Sequence, residues 1–215
     1  FRRVLFRSGT QKNGLQSKYF NYPEQEHIDQ FEAIFSTFFL VYSNRLLPVT
    51  PQLDNFYEKQ EDTGAIRCGY SVKDGKPVFT KDNPEAVGPP LFAWAEYNLY
   101  HKIGNKKRIR DVMPILEAYW GWLEATFRDD TGLYAVPLSA TTMTNSPRKG
   151  AKYLVDFNSQ QAINALYMAE LGDILNDKEI SFRYKRHYFS LKTRINSLMW
   201  SDEDGIYYDL DKNQQ

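Results

Sequence analysis

Much that would point to a familiar chemistry is scarce in this 215-residue chain. A single cysteine, Cys68, excludes a disulfide within the chain and a site built on several thiolates. The three histidines, His27, His101 and His187, lie far apart with no ligand spacing, so neither a metal nor a cofactor is expected. Charge of one sign is lacking as well. The 27 basic residues balance 27 acidic ones, and no like-charge run is longer than the three residues Lys106-Lys107-Arg108. That balance argues against nucleic acid or an anionic membrane surface as partner. No apolar stretch approaches the roughly 20 residues of a spanning helix. What the chain has in excess is aromatic side chains, at 15% of residues. Packing between large helices accounts for most of them, and platforms for sugar faces are the second use such rings serve.

The first eight residues stand apart. Phe1-Arg-Arg-Val-Leu-Phe-Arg-Ser8 is what TTC AGA CGT GTG CTC TTC CGA TCT encodes, which resembles a widely used sequencing adapter. Residues 1–8 are therefore expected to be foreign to the evolved sequence and to pack against nothing specific, leaving 9–215 for fold reasoning. A targeting segment would lie further upstream, so no compartment can be read from this chain.

The periodicity predicts helices in pairs. Over 27–46, Ile28, Phe31, Phe35, Phe38, Phe39, Tyr42 and Leu46 recur at helical spacing, and Pro51 then opens a shorter helix over 52–61. Alternation of Ile66, Cys68, Tyr70 and Val72, followed by Asp74-Gly75, predicts a short β-hairpin within 65–88. Further helices are predicted over 91–102, over 106–128 with Pro114 inside, over 155–175, and over 182–200. In the 155–175 helix, Ile163, Leu166, Tyr167, Leu171, Ile174 and Leu175 form the expected buried face, with Asp156, Asn158 or Ser159 as cap. Asp204-Gly205 predicts a hairpin turn before Ile206. The fold class is mostly α, with short β-hairpin loops.

One polar stretch has no apolar period of its own: Thr141-Thr-Met-Thr-Asn-Ser-Pro-Arg148, leading into Val155-Asp-Phe-Asn158. It is similar to the Gly-Met-Asp-Asn-Ser-Pro-Arg loop and the Val-Asp-Leu-Asn helix start of bacterial glycoside hydrolases related to family 63, the trehalases and mannosylglycerate hydrolase. Segments beginning at Tyr19, Leu53, Gly88 and Trp200 resemble the same enzymes in the same order, so the likeness runs from about Tyr19 to Leu210. The resemblance implies a partial (α/α)6 toroid of about three of six helical hairpins, with 9–215 as the N-terminal part of a catalytic domain. It implies an oligosaccharide or glycoside as substrate, and places Phe31, Glu32, Asn55, Gln60, Trp94, Glu96, Asn145, Arg148 and Asn158 near that substrate.

Two departures from the family pattern matter. Its general acid, an Asp, is matched here by Thr144, and an alcohol is far too weak an acid to protonate a leaving group at neutral pH. Its Trp-Asp pair in the first helix is matched by Phe31-Glu32. The family's general base comes from the second half of the toroid, beyond Gln215. The expected function is thus an O-glycosidase of inverting acid/base mechanism whose acid has moved, with Asp156 as first substitute. The alternatives are a carbohydrate-binding pseudoenzyme and, third, a helical interaction scaffold.

Overall fold

The computed structural model describes residues 5–22, 24–43, 48–141, 143, 148 and 150–213. Six α-helices form the framework: α1 (Gln30–Leu40), α2 (Pro51–Tyr57), α3 (Phe92–Ile103), α4 (Lys106–Phe127), α5 (Val155–Leu175) and α6 (Lys178–Met199). Successive helices pack as hairpins, α1 on α2, α3 on α4 and α5 on α6, while α3 also packs against both α1 and α5. The first helices of the three hairpins therefore stand side by side in one row. The chain is a partial helical toroid of three hairpins, as its sequence pattern predicts.

Local chemistry sets the helix boundaries. Asp29 caps α1, its side chain accepting the Glu32 N–H at 3.1 Å. Asn105 caps α4 through the Arg108 N–H at 3.1 Å, and Asp177 caps α6 through the N–H groups of Glu179 and Ile180 at 3.1 and 3.0 Å. Each such bond satisfies a backbone donor that the helix itself leaves unpaired. Gly104, at φ 72°, ends α3 in the left-handed conformation that favours glycine. At Gly172 the α5 and α6 backbones come so close that a Cβ would stand 2.8 Å from the Ser181 nitrogen. A side chain there would force the third hairpin apart.

Three short antiparallel ladders fasten the loops. Strand β1 (Leu5–Arg7) pairs with β2 (Tyr19–Asn21), β3 (His27–Asp29) with β4 (Gly69–Ser71), and β5 (Trp200–Ser201) with β6 (Ile206–Tyr207). The first pairing runs against the expectation that residues 1–8 pack against nothing specific, since residues 5–7 form a ladder with β2. An unpaired strand edge accepts any extended backbone, and Arg7 also donates to the carbonyl oxygen of Gln25 at 3.0 Å. The second corrects two boundaries. Residues 27–29 are strand rather than helix, and 69–71 pair with them, while the hairpin partner within 65–88 is reduced to one bridge between Tyr70 and Pro77. The last ladder is the hairpin predicted at Asp204-Gly205.

The core runs through all three hairpins and includes Ile34, Leu53, Phe56, Ile66, Phe92, Tyr119, Leu123, Tyr134 and Phe157. Burying each large apolar side chain stabilises the fold by about 1.5–3 kcal/mol relative to leaving it exposed. Helix α5 departs from the predicted face. Its buried residues include Asn158, Gln161, Ala162, Asn164, Ala165, Met168, Ala169 and Gly172, whereas Ile163 is 40% exposed. A helix packed against α3, α4 and α6 is covered on several sides, so a single apolar stripe does not describe it.

Candidate functional site

The segments that precede α1, α3 and α5 converge on one cleft of about 280 Å³. Gln25, His27, Asp29, Gln30, Phe31 and Glu32 line it from the first, Cys68 with residues 87–89 from the β4 approach and the entry to α3, and residues 139–141 from the entry to α5. This is the same end of the three adjacent helices.

Carboxyl groups dominate the chemistry of the cleft. Burial raises the Asp29 carboxyl above the usual range, partly offset by the hydrogen bond from Glu32 N–H. Burial is also the main cause at Glu32, whose rise is opposed by the hydrogen bond from Gln25 and assisted by the neighbouring Asp29. Gln25 Nε2 donates to Glu32 Oε1 at 2.8 Å. Two amide oxygens among these residues, Gln25 Oε1 and Gln30 Oε1, are buried without a hydrogen-bond partner. A buried acceptor left empty costs about 1–3 kcal/mol, so the cleft is suited to a ligand rich in hydroxyl donors.

Behind the 139–141 wall lies an ion cluster. Arg148 donates through Nη2 to Asp156 Oδ1 at 2.7 Å, through Nη1 to Asp156 Oδ2 at 3.1 Å, and through Nη2 to Asp209 Oδ1 at 2.6 Å, while its Nε donates to Asp209 Oδ2. The hydrogen bonds that it donates to Asp209 and Asp156 push the arginine pKa further up. Thr141 Oγ1 donates to Asp156 Oδ2, joining the cluster to the cleft wall. The α5 cap is not the one expected: Asp209 accepts the Val155 N–H at 2.8 Å from 54 residues away, and Asp156 accepts the N–H of Phe157 at 2.9 Å.

The candidate residues thus divide. Phe31 and Glu32 line the cleft. Arg148 and Asp156 lock each other behind it. Glu96 is 1% exposed, held by Arg108 through two bonds of 2.8 and 2.7 Å and by the Tyr57 hydroxyl at 2.9 Å, so it braces α3 against α2 and α4 instead. Asn158 is buried and closes on the backbone of Tyr134 and Leu154. Asn55 accepts the Gln16 N–H at 2.7 Å, and Gln60 ties the carbonyls of Gly64 and Ile115. Trp94 packs with Phe35 and Phe38, and Phe35 in turn with Phe31, so an aromatic wall runs from the cleft along α1. Thr144 and Asn145 lie outside the described residues.

Sequence reasoning missed Gln25, His27, Asp29, Gln30, Thr141 and Asp209. Asp29-Gln-Phe-Glu32 carried a signal, because an acidic cap followed three residues later by Glu marks a helix start and puts Glu32 in the first turn. A larger groove of about 960 Å³ lies on the outer wall, lined by Arg128 and residues of α6 such as Arg183, Arg186 and His187. None of the three converging segments reaches it.

A row of helical hairpins whose entry loops close on one carboxyl-lined cleft defines a partial α/α toroid with a cleft at one end. The chain belongs to the mannosylglycerate hydrolase MGH1-like glycoside hydrolase domain family, whose model matches residues 52–215. An uncharacterized protein of Borreliella burgdorferi is 49% identical over 201 residues, covering 94% of this chain and 42% of that protein, so the chain spans less than half of that relative. The GH63 mannosylglycerate hydrolase of Thermus thermophilus, solved in complex with glucose, matches with a TM-score of 0.70 at 17% identity, covering 88% of this chain and 61% of that one. A sialidase matches with a TM-score of 0.62 at 20% identity, over 89% of this chain and 17% of the other. At these identities the solved structures speak for the fold. No helix among the described residues is long and apolar enough to cross a membrane.

Proposed function

We propose that this chain is the N-terminal part of the catalytic domain of a glycosidase that hydrolyses an O-glycosidic bond with inversion, using an acid other than Thr144. The observation that carries the proposal is the convergence of three helix-entry segments on a cleft holding two carboxyl groups and two unpartnered amide acceptors. Such a surplus of acceptors fits the hydroxyl donors of a sugar, and Phe31 offers a ring beside them. Membership of a glycoside hydrolase family supports the reaction class. Inversion further needs a base about 6.5–9.5 Å from the acid to activate water, and we place that base outside this chain.

The test is release of reducing sugar across a glycan panel by the full-length protein, with residues 9–215 alone as control. Turnover by the former and none by the latter is expected. Pocket-dependent hydrolysis by the short form would refute the division of the site. Calorimetric binding without turnover would favour the second reading, a carbohydrate-binding protein that has lost its acid, to which the threonine at position 144 points.

Thr144→Asp separates the same two readings. With the acid elsewhere, the new carboxylate is expected to leave the rate within a few-fold of wild type or to lower it, since a like charge perturbs a neighbouring acid. A gain of about a hundredfold or more, the usual contribution of general acid catalysis, would mean that the donor is simply missing from the natural protein.

A further inference from the structure

A glycosidase whose aligned acid position holds threonine must draw its proton from another group, and the described carboxyl groups near the cleft can be taken in turn. Asp156, the first substitute from sequence, accepts from Arg148 twice, from Thr141 and from the Phe157 N–H. Its lone pairs are already engaged, and a proton placed there would displace one of those donors. Asp209 shares the same guanidinium and caps α5. Glu96 is enclosed by Arg108 and Tyr57. Asp29 is occupied in capping α1.

Glu32 differs from all of these. It lines the cleft and forms no ion pair with a cation among the described residues. The only hydrogen bond of its side chain among the described residues is the one from Gln25 to Oε1, which leaves Oε2 unengaged. Gln25 and Gln30 flank it with their buried, unpartnered oxygens. Gln30 is 0% exposed, and its Oε1 stays open because Gly88 has no side chain, a Cβ at that position standing 2.8 Å from it. Thr141 lies on the facing wall of the same cleft.

We propose that Glu32 is the proton donor for glycosidic cleavage, doing from the first turn of α1 what the family does from the loop before α5. The inference rests on the glycosidase reading above. Gln25 holds Oε1 through its amide N–H, and its own oxygen receives a sugar hydroxyl, which leaves the protonated Oε2 for the leaving oxygen. As the bond between the anomeric carbon and that oxygen breaks, the Glu32 proton passes to the oxygen. Water adds to the anomeric carbon from the opposite face and gives its proton to the carboxylate base outside this chain. Glu32, left ionised, is reprotonated from solvent. The titratable groups facing it across the cleft are His27, Asp29 and Cys68, and residues 87–89 and 139–141 bring none. Burial and Asp29 favour the protonated form of Glu32, and burial also pushes the Cys68 thiol up to about 11, which keeps it uncharged near neutrality.

The test compares Glu32→Gln with the wild-type full-length protein on two substrates of one sugar, an alkyl glycoside and a dinitrophenyl glycoside. The alkyl leaving group needs a proton and the dinitrophenolate does not. The expected result is a fall of about a hundredfold or more in kcat/KM on the alkyl glycoside, less than about tenfold on the dinitrophenyl glycoside, and loss of the alkaline limb of the pH profile. Because the side-chain amide can still accept from Gln25, the melting temperature is expected to hold. An equal loss on both substrates would make Glu32 a binding residue, and no loss on either would remove it from the reaction. Both outcomes overturn the assignment while leaving the glycosidase reading intact. Absence of hydrolysis by wild type on either substrate would overturn the two together.

Discussion

Arg108→Leu is expected to destabilise the protein by about 3–5 kcal/mol, the usual cost of stranding one partner of a buried ion pair. At roughly 2–4 °C per kcal/mol for a chain of this size, that is a fall of about 6–20 °C in Tm. Arg108 reaches both oxygens of Glu96 and, at 2.8 Å, Asp54. Burial works against its charge, and the Glu96 and Asp54 carboxylates more than restore it. Burial already holds the Glu96 carboxyl above its usual range against the opposing pull of Arg108; without the guanidinium Glu96 keeps only the Tyr57 hydroxyl, and its folded pKa rises further above the unfolded value. A group raised in this way favours the folded state at low pH and loses that contribution as pH rises, so the deficit of the variant is expected to shrink from pH 7 to pH 5. Thermal denaturation at the two pH values checks both statements. The double variant with Glu96→Leu is expected to recover much of the loss, because a buried ion pair replaced by apolar groups is often near neutral. A single-variant loss below about 1 kcal/mol would show that water reaches Glu96.

Arg148→Ala is the second large effect, at about 2–4 kcal/mol, somewhat below the first because Asp156 and Asp209 keep side-chain exposures of 12% and 15%. The substitution removes the cation between two carboxylates and leaves them facing each other. Arg148→Lys is expected to recover less than half, since an ammonium has no planar fork with which to bind two carboxylates. Chemical denaturation of the three proteins, with added salt as a further variable, measures it. Salt is expected to lessen the deficit of the alanine variant by screening the two negative charges. A neutral alanine variant would mean that the cluster adds nothing to stability.

Helix pairing was legible in the sequence because α4 and α6 each carry one apolar stripe against a polar face, whereas on α1 the predicted stripe is not the buried one: Phe35 and Phe39 are exposed, and Gln30, Ser36 and Thr37 are buried with Ala33, Ile34 and Leu40. Helix α5 was legible only as a helix, since burial on several sides removes the contrast that periodicity relies on. The cleft was partly legible. Phe31 and Glu32 were reached through resemblance, whereas Glu96 and Asn158 were assigned to a substrate and turn out to be held by protein partners. A buried polar side chain that braces two helices and one that awaits a ligand look alike in a single sequence, because the difference lies in whether a distant residue supplies the partner. For Glu96 that residue is Arg108, and for Asp156 it is Arg148 acting with Asp209. No local pattern announces Asp209, which closes the α5 cap across 54 residues.

That long-range cap carries a consequence for synthesis. Lys152 and Tyr153 donate their N–H groups to the carbonyl oxygen of Leu210 at 2.8 and 3.0 Å, and the Leu210 N–H returns a bond to Tyr153 at 3.0 Å, which seats Asp209 beside Arg148 and Val155. During translation from the N-terminus, at about 5–20 residues per second, α1 to α5 leave the ribosome before their clasp exists. The wall formed by residues 139–141 is therefore fastened only once Asp209 and Leu210 have emerged. A ribosome-bound intermediate ending before Asp209 would carry the helices without a finished cleft.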